Sequence, residues 1–296
     1  MHKGIWIPPD FLLLGMHRIF LFLFLGIFSA CHRTKSGSDE FYSRHLQRSV
    51  QLKIIHTPLP EDRRALHLLI INDGQEFNAF RVKEIVDSLF QKGMIQPLVV
   101  VGIEAGDRMQ EYGVAGRPDY QQRGSKAGDY DAFINDELYP YAKKMAGVRK
   151  FLSVTMAGCS LGGLSAFDIA WNHPDKIDRV GVFSGSFWWR DKSLEDSSYS
   201  DLTNRILYSK VKASRKKPGL HFWFYVGGAE ETADRDKDGI TDAVDDTRDL
   251  IDLLKSKNIS APGDISYIEN KAGHHDYETW TQFLPAFLIW AVGKSN

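Results

Sequence analysis

From residue 50 onward, short apolar runs alternate with segments whose apolar residues recur at helical spacing. Residues 65–71 and 98–103 are continuous apolar runs, the pattern of strands covered on both faces. Residues 50–57 alternate enough to read as a strand, and Pro58 and Pro60 end it. Residues 151–156, 179–183, 220–226 and 265–268 complete the expected strands. Phe80, Val82, Ile85, Val86, Leu89 and Phe90 lie at helical spacing, with Gly93 as a stop. Residues 130–145, 164–171, 244–255 and 277–292 read as further helices, the second of them ended by His173-Pro174. Residues 104–126 form a long, polar, glycine-rich loop, a kind that is commonly functional. Strand and helix alternate, so the expected fold class is α/β, with a largely parallel sheet covered by helices on both faces.

The first thirty residues follow another rule. His17 and Arg18 precede the apolar run 19–30, which is shorter than the roughly 20 residues that span a bilayer. A basic start, a short apolar core and small residues before a cut make a secretory signal. Phe28-Ser29-Ala30-Cys31 resembles a bacterial lipoprotein box, with Phe28 where leucine is usual. That resemblance implies cleavage before Cys31, a lipid on its thiol, and an exported, membrane-anchored protein. The alternative is ordinary signal cleavage nearby, with Cys31 merely present. Met16 fits such a signal better as a start than Met1. The expected division is a signal segment 1–31, a polar tether 32–48 and a folded α/β domain 49–296.

Composition narrows the function classes. Hydrophobic residues make up 43% and charged residues 25%, an ordinary globular balance. The formal net charge of −1 gives no electrostatic footprint for nucleic acid. Two cysteines, Cys31 and Cys159, exclude a Cys-based zinc site and a disulfide framework. The aromatic cluster Phe187-Trp188-Trp189 suits either a pocket wall or the core.

Gly158-Cys159-Ser160-Leu161-Gly162-Gly163 lies between an expected strand and an expected helix, which is the context of a nucleophile elbow. The flanking glycines remove Cβ atoms that would clash in the tight turn. The turn lifts the Ser160 hydroxyl clear of the sheet and aims a helix N-terminus at a developing oxyanion. Cys159 is a neighbouring nucleophile by type, but the elbow exposes its central residue, so Cys159 is expected to pack as a small apolar side chain.

A serine hydroxyl needs a base, and the base needs a group to orient it. In this arrangement the chain order is serine, acid, histidine. After residue 221 the histidines are His274 and His275, between a strand and the last helix. Local chemistry leaves both open. The acid is expected after the strand 220–226.

The two motifs together resemble the esterase family that includes enterochelin esterases, S-formylglutathione hydrolase and feruloyl esterase domains. Its members close with Gly-His-Asp, an aromatic residue and a later tryptophan. His275-Asp276-Tyr277 and Trp280 fit that frame, with His274 in place of the glycine. The resemblance also covers Asp73-Gly74-Gln75, the loop 108–112 and Ser184-Gly185-Ser186-Phe187-Trp188-Trp189. It implies an α/β-hydrolase fold and His275 as base, with His274 as the alternate. It implies an acid in Gly227-Gly228-Ala229-Glu230, with Glu230 where aspartate is commoner and Glu231 and Asp234 as alternates. The backbone N–H groups of Leu161 and Gln75 are the expected oxyanion donors.

Asp234, Asp236, Asp238, Asp242 and Asp245 surround Gly239, a pattern of alternating carboxylates with a turn glycine. It resembles the calcium loops of thrombospondin repeats more than an EF-hand, which would place Glu where Asp245 stands. The alternative is a solvated acidic turn before a helix. The loop begins four residues after Glu230, so an ion there is expected to steady the catalytic acid. The chemistry itself needs no cofactor.

The resulting expectation is a serine esterase acting on carbohydrate-linked acetyl or feruloyl esters or on siderophore esters. Its rivals are a non-catalytic binding lipoprotein on the same fold and a serine peptidase.

Overall fold

The computed structural model describes residues 34–215, 219–259 and 263–294. The signal segment and the lipidation candidate Cys31 lie outside the described residues. Eight strands form one sheet: β1 (Lys35–Ser43), β2 (Arg48–His56), β3 (His67–Asn72), β4 (Leu98–Ile103), β5 (Val154–Cys159), β6 (Arg179–Phe183), β7 (His221–Gly227) and β8 (Ile265–Asn270). Their order is β1-β2-β4-β3-β5-β6-β7-β8. β1 and β2 are antiparallel to their neighbours, and the strands from β4 to β8 run parallel. This is the α/β-hydrolase arrangement.

The central strands are apolar throughout because both of their faces are covered. On β3, Leu68 and Ile70 join the core on one side of the sheet, and Leu69 and Ile71 join the core on the other. The first side is covered by helices that include α3 (Ala127–Phe133), α4 (Tyr139–Ala146), α5 (Leu161–Asn172), α7 (Ile206–Ala213) and α8 (Asp242–Ser256); the second is covered by α1 (Val82–Gln91) and α9 (Tyr277–Val292), and the short helices α2 (Arg108–Glu111) and α6 (Asp201–Asn204) belong to connecting segments. Each fully buried Val, Leu, Ile or Phe contributes about 1.5–3 kcal/mol relative to exposure. All residues of α5 but Asn172 are buried, which sets the helix behind the elbow rigidly against the sheet.

Two expected boundaries move. The expected tether 32–48 contains β1, paired with β2 from Lys35↔His56 to Ser43↔Arg48. Its side chains are mostly polar and exposed, so no apolar alternation marks it; backbone hydrogen bonds to β2 make the strand. The Thr34 N–H already donates to Asp87 Oδ1 at 2.8 Å. The strand expected at 151–156 lies at Val154–Cys159, so it runs directly into Ser160. Among the described residues no helix is long and apolar enough to cross a membrane.

Candidate active site

Ser160 stands at the C-terminal end of β5, immediately before α5, with φ 55° and ψ −125°. A non-glycine residue there carries about 1–3 kcal/mol of backbone strain, and the surroundings hold it. Its N–H donates to the Phe183 carbonyl at 2.8 Å, and its own carbonyl accepts from Gly163 (2.9 Å), Leu164 (3.1 Å) and Ser186 (3.2 Å). A Cβ on Gly158 would lie 2.3 Å from the Gly162 carbonyl oxygen, and one on Gly162 would lie 2.8 Å from Asp73 Oδ2. Glycine is therefore required at both positions. Cys159 is 3% exposed, and burial pushes its thiol well above the ordinary range. It packs in the core beside Phe183 and Ala157, away from any nucleophilic role.

His275 Nδ1 lies 2.9 Å from Glu230 Oε2. The Glu230 side chain is only 2% exposed, whereas that of His275 is 41% exposed. Glu230 Oε1 accepts the Gly227 N–H at 2.6 Å and the Ser184 hydroxyl. Ser184 Oγ in turn accepts from Trp280 Nε1 at 2.9 Å. Trp280 also meets the His275 ring edge to face, with centroids 5.0 Å apart. The alternates are occupied elsewhere. His274 Nδ1 faces the Ala229 carbonyl at 3.1 Å, Glu231 accepts the Ala243 N–H at 2.7 Å, and Asp234 accepts amides of its own loop.

Ser160 and His275 both line two clefts that meet at them. The larger, about 410 Å³, is bounded by Asp73, Gln75, Glu76, Arg108, Tyr277 and Trp280 among others. The smaller, about 290 Å³, is bounded by Ser184, Ser186, Trp188, Glu230 and Glu231 among others. Ser186 Oγ lies 3.4 Å from Ser160 Oγ.

Leu161 opens α5, so its N–H belongs to the first turn, whose amides have no partner within the helix. Gln75 sits in the tight turn Gly74–Glu76 after β3 and lines the larger cleft. Asn72 ties that turn to the elbow: its Nδ2 donates to the Gly162 carbonyl at 2.7 Å, while its Oδ1 accepts from the Tyr130 hydroxyl at 2.7 Å. Asp73 is clamped by both Nε and Nη2 of Arg108, at 2.8 and 3.0 Å. The fixing roles of Asn72 and Ser184 were not legible from sequence, because they depend on contacts across 90 and 46 residues of chain, respectively.

Carboxylate oxygens of Asp234, Asp236 and Asp238 come within 4.8 Å of one another. Asp242 does not join them; its Oδ1 accepts the Arg235 N–H at 2.8 Å, and its Oδ2 lies 3.2 Å from the Arg235 guanidinium. That ion pair outcompetes convergence with three other carboxylates. Asp245 feels the cluster: burial, then Asp238 and Asp236, push its carboxyl up to about 6.

Comparison with known proteins agrees with this architecture. A family model described as "Putative esterase" matches residues 43–291. The uncharacterized protein YbbA of Bacillus subtilis (strain 168) is 28% identical over 232 residues, which cover 76% of this chain and 85% of YbbA. A ferulic acid esterase structure superposes with a TM-score of 0.64 at 16% identity, covering 88% of this chain and 98% of that one. The enterobactin esterase FES from Shigella flexneri superposes with a TM-score of 0.65 at 23% identity, covering 89% of this chain. The match spans 61% of that enzyme's length. At these identities the structural likeness shows a shared fold.

Proposed function

The chain belongs to the "Putative esterase" family and is a carboxylic ester hydrolase, and from that premise we propose that it works through an acyl-enzyme on Ser160. His275 takes the Ser160 proton as Ser160 Oγ attacks the ester carbonyl. Glu230 accepts the Nδ1–H of His275, fixes its tautomer and stabilises the imidazolium that forms. The N–H groups of Leu161 and Gln75, with the N-terminus of α5, hold the oxyanion. His275 then returns its proton to the leaving alcohol, and water cleaves the acyl-enzyme by the same route. The observation that carries this reading is the buried Glu230 paired with His275 beside the strained Ser160, at the junction of two clefts. Ser160→Ala should abolish hydrolysis of a short p-nitrophenyl ester and labelling by a fluorophosphonate probe. Retained hydrolysis would refute the assignment, and a panel of peptides beside esters separates a peptidase.

The proposed substrates are carbohydrate-linked acetyl or feruloyl esters or siderophore esters. The support is the pair of structural neighbours named for ferulic acid and enterobactin ester cleavage. We also propose export and lipid attachment at Cys31, which the box Phe28-Ser29-Ala30-Cys31 supports. Cys31→Ser should then move the protein from the membrane fraction to the soluble fraction of expressing bacteria; an unchanged distribution counts against it. Calcium at Asp234, Asp236 and Asp238 is proposed on their convergence and their oxygen chemistry.

A further inference from the structure

Both clefts that meet at Ser160 are acidic. The larger is lined by Asp73, Glu76 and Asp276, and the smaller by Glu230 and Glu231. Arg108 is the one Lys or Arg among the residues lining either cleft, and Asp73 neutralises it in a two-point ion pair. Glu230 is committed to His275. Glu76, Asp276 and Glu231 form no ion pair with a basic side chain among the described residues. Asp276 accepts the Thr279 N–H at 2.7 Å and Glu231 the Ala243 N–H at 2.7 Å, which orders both groups without cancelling a full charge.

We infer that this active site selects against esters carrying a negative charge on either side of the scissile bond, and takes neutral or cationic esters. The inference rests on the acyl-enzyme reading of Ser160 and narrows its substrate class. An ester bound at Ser160 sends its acyl part into one cleft and its alcohol part into the other. Uncompensated carboxylates stand in both, so the discrimination holds whichever way the substrate lies. A negative substrate group is repelled by the one or two uncompensated carboxylates of its own cleft and, at longer range, by those of the other, which together make about a tenfold difference in rate at low salt. The titration of groups in the clefts points the same way. Burial, then Cys159, Asp73 and Glu76, raise the Tyr277 phenol far above its usual range, and burial, then Asp242, Asp246 and Glu230, raise Glu231. A neutral hydroxylated group fits such walls, since carboxylates accept its hydroxyl hydrogens; a carboxylate or phosphate does not.

The test uses three 4-nitrophenyl esters of equal acyl length whose far ends carry a methyl, a carboxylate or a trimethylammonium group. At low ionic strength kcat/KM for the carboxylate ester should be about tenfold below that for the methyl ester. Rising salt should narrow the gap. Of Glu76→Gln and Glu231→Gln, the one that lines the cleft receiving the acyl part should raise the carboxylate-to-methyl ratio of kcat/KM. A carboxylate ester cleaved as fast as the methyl ester at low salt, or a ratio insensitive to both salt and substitution, would overturn the inference. Failure of the underlying reading looks different: no ester of the three would be cleaved in a Ser160-dependent way.

Discussion

Ser184 holds Glu230 in place. Its hydroxyl donates to Glu230 Oε1 while its oxygen accepts from Trp280 Nε1 at 2.9 Å. The remaining proton-accepting face of the buried carboxylate, Oε2, is thereby left to His275. One serine thus links β6's end, the acid loop after β7 and the helix that follows the histidine.

Two substitutions separate the acid from its support. Glu230→Gln keeps the shape but loses the charge that stabilises the imidazolium, and kcat should fall by about 10²- to 10⁴-fold. Ser184→Ala leaves one buried carboxylate oxygen short of a donor and the Trp280 N–H short of an acceptor. It should lower kcat by about tenfold with KM little changed. Steady-state kinetics on one neutral ester checks both; a Ser184→Ala enzyme at full kcat would remove Ser184 from the positioning chain.

The elbow makes a steric prediction. A methyl at Gly162 would lie 2.8 Å from Asp73 Oδ2 and 3.2 Å from Asn72 Cβ. Relief pulls the Asp73 carboxylate out of its two-point clamp by Arg108 and pushes on Asn72, which loosens the turn carrying Gln75 beside the start of α5. Gly162→Ala should therefore cost about 10²-fold or more in kcat/KM and about 1–3 kcal/mol in stability. Gly37→Ala, where nothing lies within 4 Å of the added Cβ, serves as the control and should leave both unchanged.

How much of this was legible in the chain follows from which interactions are local. The elbow was legible because Gly158, Ser160, Gly162 and Gly163 are neighbours, and their steric role is settled within one turn. The parallel core strands were legible because burial on both faces writes a continuous apolar run. β1 was not, because an edge strand with exposed polar side chains is specified by its partner's backbone, as Lys35↔His56 to Ser43↔Arg48 shows. Local chemistry left the partners open, and the family resemblance singled out His275 and Glu230, which the fold brings to 2.9 Å. The departure of Asp242 to Arg235 was hidden, because a run such as Asp234-Arg235-Asp236 offers adjacent groups of the same type and only tertiary placement chooses among them. In that run the arginine within the acidic series was itself the deciding residue.

His67 makes stability pH-dependent. Its ring is buried at the start of β3, with Nδ1 2.6 Å from Ser153 Oγ and Nε2 without a partner among the described residues. Burial first, then the charge of Arg179, lowers its pKa to about 4. The unfolded chain takes up a proton on this ring near pH 6.5, which the folded protein refuses until about pH 4. Stability from this residue is thus full above pH 6.5 and is lost progressively as pH falls toward 4. The loss is about 3 kcal/mol over that window. Urea unfolding at pH 7.5 and 4.5 should show it in the natural protein, and His67→Gln should flatten the difference by that amount. Equal pH dependence in the two proteins would refute the account.

The acidic loop gives the last prediction, and the structure changes its form. Glu230 is fixed by Gly227, Ser184 and His275, none of which belongs to the loop of Asp234, Asp236 and Asp238. The loop is shaped by its own amides: Asp234 accepts from Lys237 at 2.7 Å and Gly239 at 3.0 Å, and Asp242 closes it by donating its N–H to the Ala233 carbonyl at 2.9 Å. A calcium ion bound there would therefore act mainly by cancelling repulsion; burial first, then Asp238 and Asp236, raise the Asp245 carboxyl to about 6. An aspartate raised in the fold above its unfolded value near 3.9 binds its proton better when folded. Its contribution to stability declines as pH rises from about 4 to 6, and the cost is complete above 6. Calcium should replace that proton. It should raise Tm by several degrees over chelator at pH 7.5 and by little at pH 5, and Asp238→Asn should abolish the gain. The esterase rate should change less than about twofold, since the catalytic acid has its own supports. Identical melting with calcium and with chelator at pH 7.5 would end the calcium proposal, and a large change in kcat would show that the loop reaches Glu230 after all.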